Sequence, residues 1–418
     1  MTRGAAADTG IAVMEPSIAV RPGRLGPRAP FSSIDGAFSA AKRRLPRMVY
    51  ERVAGGSAPL TQRVNTKVFD EIAFHPKAAV VFEDRDLRTT VLGDEISMPV
   101  MLASPGGARI LHPAGEPAAA AAAGRAGTIN VVSMSTGHSP EAVAARAFRP
   151  LWQQMYMSRG RDGAEELMSR CKAAGYRALV LTVDLLVSPT PVIPGVKPPA
   201  AGITRENFFQ LTPDALKRPR WLMAYLRDRY GERGVTEIER LGVCPYSPES
   251  RLKTGELVNK MTATWEDFRW IKERWGGPIV AKGILTPDDA RRAVDAGVSA
   301  VIVSNHGAAG MIDTFPSSLR MLPDIAEAVG DQCDVLLDSG LRSGAHVVKA
   351  LALGAKACLI GRPYLMGLAA AGEEGVYQVL EIFRREIDGI LGALGCPSVR
   401  ALDPSYVEVP TNWPRWNP

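Results

Sequence analysis

A histidine follows the apolar run Ala300–Val303, in the sequence Ser304-Asn305-His306-Gly307. A short apolar run of this kind predicts a buried strand, so His306 stands just beyond a strand end. The ordinary pKa of histidine lies nearest neutrality among the side chains, which suits it to take and return protons. A single histidine here is more often structural, so the catalytic interpretation depends on polar partners at neighbouring strand ends.

Polar residues also close four other predicted strands. In parallel strands joined by helices, the carboxyl ends meet on one rim, where functional groups gather. Each residue alone fits an ordinary strand-capping role, but several in register predict an active site. They are Ser133, Gln154 with Tyr156, Thr182 with Asp184, and Lys282.

The last two predicted strands are followed by glycine and arginine residues. One segment runs Asp338-Ser339-Gly340-Leu341-Arg342 and the other Gly361-Arg362-Pro363. Glycine exposes backbone N–H groups and arginine offers paired donors, both of which suit a phosphate. In a (β/α)8 barrel, the last two strand ends are the usual phosphate site, so these segments predict one.

The elements that must position these residues are eight apolar runs that alternate with amphipathic segments. This alternation predicts parallel strands with crossover helices, and eight such units predict a (β/α)8 TIM barrel. An open doubly wound sheet is the alternative. The predicted strands are Pro99–Ala103, Thr128–Ser133, Leu151–Tyr156, Ala178–Val183, Pro278–Lys282, Ala300–Ser304, Val335–Asp338 and Ala357–Ile360.

The domain organisation follows from composition. Residues 1–32 are rich in Gly, Ala, Pro and Arg, which predicts a disordered leader. Residues 33–404 form one predicted barrel domain, which opens with an N-terminal helical segment. A long insertion after strand 4, about 185–263, begins with a proline-rich stretch and predicts a partly helical cap at the barrel mouth. Residues 405–418 are a predicted C-terminal tail.

Charge and cysteine usage narrow the class of protein. Lys and Arg number 50 against 44 Asp and Glu, scattered without the aromatic-interleaved patch of a nucleic-acid binder. The five cysteines show no CxxC pair and no metal-like spacing with histidine, which predicts free thiols and no metal site. Neither a secretory signal nor a bilayer-length apolar stretch is evident. We therefore expect a cytoplasmic protein.

A series of motifs from Ala41 to Pro404 resembles the FMN-dependent α-hydroxy acid dehydrogenases and oxidases. The resemblance implies FMN as the cofactor, a TIM barrel, and a homo-oligomer, commonly a tetramer. The motifs are Leu45-Pro46-Arg47-Met48-Val49-Tyr50, His112-Pro113-Ala114-Gly115-Glu116, Leu181-Thr182-Val183-Asp184, Ser304-Asn305-His306-Gly307 and Gly361-Arg362-Pro363.

The resemblance also implies a role for each site residue. His306 would remove a proton from the substrate, Asp184 would stabilise the resulting imidazolium, and Tyr156 would hydrogen-bond the substrate oxygen. Lys282 would lie near the pyrimidine edge of the flavin, where a cation stabilises the reduced form. The other implied cofactor-binding residues are Ser133, Gln154, Thr182 and Ser304 towards the ring system, and Asp338, Gly340, Arg342, Gly361 and Arg362 towards the ribityl phosphate.

The sequence departs from the family where substrate carboxylates are bound. Pro191 and Ala309 stand where the family has two arginines, and Arg52 replaces a substrate-binding tyrosine. Proline and alanine cannot form a bidentate clamp, so lactate or glycolate should bind poorly unless Arg52 or Arg109 compensates. The segments Arg218-Pro219-Arg220-Trp221 and Thr264-Trp265-Glu266-Asp267 are similar to the pre-mycofactocin synthase-like flavoproteins, which act on a peptide-derived amine.

Three hypotheses remain from the sequence. The first is an FMN-dependent oxidoreductase that oxidises a CH–OH or CH–NH2 carbon of a non-standard, possibly peptide-derived substrate. The second is a 2-hydroxy acid dehydrogenase with relocated carboxylate binding. The third is a catalytically idle flavin-binding subunit, against which the His306, Asp184 and Tyr156 set argues. Oxygen, a quinone or a protein could each serve as electron acceptor.

Overall fold

A computed structural model describes residues 30–55, 58–157, 160–184, 213–228, 263–309, 313–413 and 416. Most of the predicted leader (1–32) and most of the predicted insertion (185–263), including Pro191, lie outside these residues. Within the described ranges, no helix combines the length and apolar character needed to cross a membrane.

Twelve strands occur in the described part of the chain, and eight of them close a parallel barrel. In chain order they are β1 (Ala73–Phe74), β2 (Thr89–Val91), β3 (Asp94–Ile96), β4 (Val100–Leu102), β5 (Asn130–Val132), β6 (Leu151–Met155), β7 (Ala178–Thr182), β8 (Ile279–Ile284), β9 (Ala300–Val303), β10 (Asp334–Leu337), β11 (Ala357–Ile360) and β12 (Val407–Glu408). Strands β4 to β11 pair in sequence and β11 returns to β4, so the TIM barrel prediction is confirmed and the open sheet is excluded.

The barrel interior follows from the two-residue period of its strands. Ala178 and Val180 of β7 face one buried cluster, together with Ala300 and Ile302 of β9, and Trp152 is fully buried there. The alternate residues of the same strands belong to a second cluster that includes the helices. Both faces of each strand are therefore apolar, as a parallel barrel requires.

Helices surround the barrel and precede it. Several begin at a Ser or Thr whose side chain accepts a hydrogen bond from the first turn, including Thr264, Thr286, Ser317 and Ser343. The α-helices of the described ranges are Ile34–Arg44, Arg47–Ala54, Pro59–Lys67, Ala108–Leu111, Gly115–Arg125, Pro140–Ala144, Gly160–Ala173, Pro219–Asp228, Trp265–Trp275, Pro287–Asp295, Ser318–Val329, Gly344–Ala352 and Arg362–Leu394, the last with a kink at Ala371 and Gly372.

The chain flanking the barrel is tied to it at both ends. The predicted N-terminal helical segment is two helices, because Leu45 and Pro46 adopt extended backbone between Ile34–Arg44 and Arg47–Ala54. The first of these packs against Arg362–Leu394. In the predicted tail, β12 pairs antiparallel with β1. The division of the chain into leader, domain and tail stays a prediction.

Candidate active site

A cavity of about 360 Å³ opens at the carboxyl ends of the barrel strands. Most residues that the sequence singled out line this cavity, although they come from separate strand ends. Asp184 and Ser304 lie behind it and contact residues that do. The predicted residues that line it are Ser133, Gln154, Tyr156, Thr182, Lys282, His306, Asp338, Gly340, Arg342, Gly361 and Arg362.

His306 is paired with a buried carboxylate. Its Nδ1 lies 2.8 Å from Oδ1 of Asp184, whose side chain is 3% exposed. Burial by itself would raise the pKa of Asp184, but the charges of His306 and Lys282 outweigh it and hold the pKa below its ordinary value. Asp184 is therefore ionised at neutral pH, and it can orient the imidazole and stabilise its cation.

The backbone around His306 is left-handed. His306, Gly307 and Ala308 have φ values of 56°, 61° and 63°. For residues with a side chain this conformation is strained, and it persists only where surrounding contacts enforce it. One such contact is Arg362, whose Nη1 donates to the Gly307 carbonyl at 2.8 Å. The turn holds His306 at the cavity instead of continuing the strand.

Tyr156 lies at the end of β6 and is 9% exposed. Burial raises the pKa of its hydroxyl above the ordinary value, and the Asp184 charge raises it further. The hydroxyl therefore keeps its proton at physiological pH. It can donate a hydrogen bond to an oxygen or nitrogen of a substrate in the cavity.

A row of amide and hydroxyl groups crosses the floor of the cavity. Gln154 Nε2 donates to Thr182 Oγ1 at 3.0 Å, and Gln154 Oε1 accepts from the Met134 backbone N–H at 3.2 Å. The Ser133 hydroxyl also donates to Gln154 Oε1, at 3.4 Å. These contacts fix the amide orientation, so the row presents defined donors and acceptors to a flat polar ring.

Lys282 is a buried cation beside this row. Its Nζ donates to Ser304 Oγ at 3.1 Å and lies 3.4 Å from Asp338 Oδ2. Burial would lower the pKa of Lys282, but the carboxylates of Asp338 and Asp184 outweigh that effect and raise the pKa above its ordinary value. The ammonium group therefore remains charged. Ser304 supports it from behind and does not itself line the cavity.

Two partly buried arginines lie at the ends of β10 and β11. Arg362 donates to the carbonyls of Val53, Gly307 and Gly55, and Arg342 donates to its neighbour Leu341. Burial lowers the pKa of both guanidinium groups to about 10, and the charge of Arg362 adds to the effect on Arg342. Two adjacent, partly buried cations are costly unless an anion joins them. This donor set fits the phosphate end of FMN.

Gly340 has to be glycine for the chain beyond β10 to take its observed course. Its φ is +87°, and a Cβ atom there would lie only 1.9 Å from the carbonyl oxygen of Asn65. The backbone at Gly340 thus approaches the helix Pro59–Lys67 more closely than any side chain allows. Gly361 also lines the cavity, where its lack of a side chain leaves room for a ligand.

Two positions at which the sequence departs from the family line the cavity. Ala309 lines the cavity near His306, and so does Arg52 at its exposed rim. Arg109 does not line it: Nε and Nη2 of Arg109 donate to the two carboxylate oxygens of Asp228 at 2.8 and 3.0 Å. Arg109 therefore holds the helix Pro219–Asp228 to the barrel. Of the two arginines that could compensate, only Arg52 reaches the cavity.

Sequence reasoning missed several cavity residues. Ser104, Pro105 and Gly106 follow the first barrel strand, β4, and Ser135 follows β5. None carries a titratable group, so none attracted notice as a chemical residue. The signal that could have found them is position alone, because every residue just past a barrel strand faces the same rim.

Comparison with known proteins agrees with this geometry. The model of the FMN-dependent dehydrogenase family matches residues 41–409. A pre-mycofactocin synthase of Mycobacterium tuberculosis is 41% identical over 392 residues, covering 92% of this chain and 96% of the relative. A peroxisomal (S)-2-hydroxy-acid oxidase of Oryza sativa subsp. japonica is 34% identical, covering 88% and 93%.

A solved structure shares the fold over nearly the same range. The monotopic membrane protein (S)-mandelate dehydrogenase superposes with a TM-score of 0.79 at 31% identity, covering 91% of this chain and all of that chain. The family match spans most of the barrel and the cavity described above. The chain belongs to the FMN-dependent dehydrogenase family and is an FMN-dependent oxidoreductase.

Proposed function

We propose that the enzyme oxidises a CH–OH or CH–NH2 carbon in a substrate that presents no free carboxylate to the site, such as a peptide-derived amide. One observation carries this proposal. The cavity keeps the His306–Asp184 pair and Tyr156, while Ala309 occupies its substrate side near the histidine. The apparatus for moving a proton is thus present beside a small apolar residue, where a carboxylate would need a cation.

In this proposal, His306 takes the proton released when the substrate is oxidised. Nδ1 faces Asp184, so the Nε2 atom is the one available to the substrate. Asp184 stabilises the imidazolium that forms, because its carboxylate is buried and remains ionised. Tyr156 donates a hydrogen bond to the substrate oxygen or nitrogen and fixes its position. Bound FMN supplies the acceptor for the two electrons.

The cofactor-binding roles follow from the chemistry of the cavity wall. The row formed by Ser133, Gln154 and Thr182 would bind the polar edge of the ring system, and Lys282 would place a positive charge beside it. Arg342 and Arg362 would bind the phosphate. Both groups line one cavity together with His306, so the cavity wall offers partners for both the polar ring edge and the phosphate of FMN.

The name of a relative supports a substrate other than a simple hydroxy acid. Pre-mycofactocin synthase is 41% identical over nearly the whole chain, whereas the hydroxy-acid oxidase from rice is 34% identical. A synthase for a mycofactocin precursor and a hydroxy-acid oxidase thus share this scaffold. We assign the present chain to the first kind of substrate, because of Ala309.

A matched set of four compounds tests the proposal. Lactate, lactamide, alanine and alaninamide combine a hydroxyl or an amine with a carboxylate or an amide. Each is mixed anaerobically with FMN-loaded enzyme, and flavin reduction is followed by stopped-flow absorbance. We expect the amides to reduce the flavin faster than the acids. Reduction by the acids alone would refute the proposal, and reduction that persists in His306→Asn would refute the role of the histidine.

A second candidate is a 2-hydroxy acid dehydrogenase that binds its carboxylate through Arg52. The observation in its favour is that Arg52 lines the cavity on the helix Arg47–Ala54, whose end is fixed by Arg362. The four-compound test separates the two, since this candidate predicts that lactate outperforms lactamide. If this second candidate is right, Arg52→Met raises the KM for lactate and leaves the KM for lactamide unchanged.

A further inference from the structure

A hydrogen-bonded path connects Lys282 to the backbone of His306. The hydroxyl of Ser304 accepts from Lys282 Nζ at 3.1 Å and from the His306 backbone N–H at 3.1 Å. Ser304 is completely buried, so solvent does not compete for these bonds. The backbone N–H of His306 is thus connected to the ammonium group of Lys282 through one hydroxyl.

A second path reaches the next peptide group from the same lysine. Asp338 Oδ2 lies 3.4 Å from Lys282 Nζ, and Asp338 Oδ1 accepts from the Ser339 hydroxyl at 2.7 Å. The same hydroxyl accepts from the Gly307 backbone N–H at 3.0 Å. The two paths close a ring from Lys282 to the peptide groups on both sides of His306.

Ser339 adopts this position at a cost in backbone strain. Its φ of 77° lies in the left-handed region, as do those of His306 and Ala308. Each such residue is strained relative to ordinary backbone. The Ser339 hydroxyl links the loop after β10 to the loop that carries His306 and Ala308, so that one hydrogen bond joins the strained residues of both loops. Such strain persists only where contacts of this kind enforce it.

We propose that Ser339 is a positioning residue for His306, whose hydroxyl locks the left-handed turn of the histidine to the Asp338–Lys282 pair. His306 and Lys282 are thereby held in fixed positions relative to each other. The inference takes from the proposed function that His306 is the base. Without the hydroxyl, the Gly307 N–H loses its partner, the turn relaxes, and the imidazole no longer keeps a fixed direction towards Asp184.

Histidine NMR on the FMN-loaded enzyme without substrate tests this inference. In 15N-histidine-labelled protein, the His306 ring signals are assigned by their absence in His306→Asn. At a pH where the imidazole is neutral, the wild type should show one tautomer, with the proton on Nδ1 facing Asp184. Ser339→Ala and Ser339→Gly should both lose this preference and show averaged shifts, while FMN affinity stays at the wild-type value.

The two variants distinguish the effect of losing the hydroxyl from the effect of relieving backbone strain. Glycine adopts the positive φ of residue 339 without strain, whereas alanine does not. The control is Ser139→Ala, which removes a helix-capping hydroxyl bonded to the Ala142 N–H away from the cavity and should keep the single tautomer. A single tautomer in either Ser339 variant would overturn the inference. So would averaging accompanied by weakened FMN binding, which would make Ser339 a direct cofactor contact.

This test does not depend on the reaction. If the proposed role of His306 as the base fails, flavin reduction persists in His306→Asn whatever the NMR shows. If only the inference fails, His306→Asn does not reduce its flavin, but the Ser339 variants keep the single tautomer of His306.

Discussion

At the scale of residues, the chemistry of the cavity depends on buried charges that are paired with one another. Asp184 lies between His306 and Lys282, and both of them lower its pKa. The types of these residues and their places after apolar runs could be predicted from the sequence. The direction in which the Arg109 side chain points could not be predicted, because its partner Asp228 is far along the chain and contacts it only in the folded structure.

Replacement of the carboxylate behind the histidine tests its role. Asp184→Asn keeps the size of the side chain but removes the charge that stabilises the imidazolium. We expect flavin reduction by the best substrate to slow by roughly 10²- to 10⁴-fold, measured by anaerobic stopped-flow absorbance. FMN content of the purified variant is the control and should be unchanged. A rate within the error of the wild type would show that Asp184 does not assist the base.

At the scale of elements, the site depends on how each strand ends. The eight strands were predictable because apolar runs of four to six residues alternate regularly with amphipathic segments, the pattern of parallel strands with crossover helices. The turns beyond them were harder to predict. Their geometry depends on contacts between neighbouring loops, such as Gly283 of β8 against Asp184 beyond β7. The break at Pro46 was also missed, since the residues around it suit a helix on both sides.

Gly283 tests the contact between these two strand ends. Its φ is +105°, and an added Cβ would lie 2.6 Å from Cβ of Asp184. Gly283→Ala should therefore displace Asp184 and slow flavin reduction, besides the strain of about 1–3 kcal/mol that the backbone incurs. The matched control is Gly276→Ala, where φ is +69° but no atom lies within 4 Å of the added Cβ.

Thermal unfolding and flavin reduction are compared in these two glycine variants. Both should unfold at lower temperature than the wild type, and only Gly283→Ala should also reduce its flavin slowly. Equal rates in the two would mean that the close packing of Gly283 on Asp184 has no part in the reaction.

The ends of β10 and β11 provide a second test at this scale. If Arg342 binds the phosphate, the apoenzyme should prefer FMN to riboflavin, and Arg342→Met should reduce that preference. A charge-assisted hydrogen bond contributes about 1.5–3 kcal/mol, so we expect the ratio of the two dissociation constants to fall roughly 10- to 150-fold. Titration by flavin fluorescence measures both constants. Equal weakening of FMN and riboflavin would assign Arg342 a structural role instead.

At the scale of the whole molecule, the proposed function places a cofactor site and a substrate site in one barrel cavity. The N-terminal helices contribute to both, because Arg362 binds the carbonyls of Val53 and Gly55 beside Arg52. Family membership could be inferred from the motifs in the sequence. The substrate could not be inferred, since the residue types at the cavity do not by themselves define the molecule that binds there. Assembly into a homo-oligomer stays a prediction.

The stability of the whole fold should depend on pH through Asp184. Because the pKa of Asp184 in the folded protein lies below its ordinary value of 3.8, its stabilising contribution is complete above that pH. The contribution is lost as pH falls through the lower pKa of the folded state. Asp184→Asn should therefore destabilise the protein near neutral pH, and the difference from the wild type should shrink below pH 3.8. Urea unfolding across this range measures it, and a constant difference would contradict the assigned pKa direction.

The central claim is that the enzyme keeps the base of its family and has lost the binding site for a substrate carboxylate. The most direct test compares mandelamide with mandelate, which differ only in that carboxylate, by the second-order rate constant for reduction of bound FMN. We predict a larger constant for mandelamide. This advantage should fall in Ala309→Arg, because the substitution places a cation three residues after His306, on the cavity wall. A larger constant for mandelate in the wild-type enzyme would contradict the account.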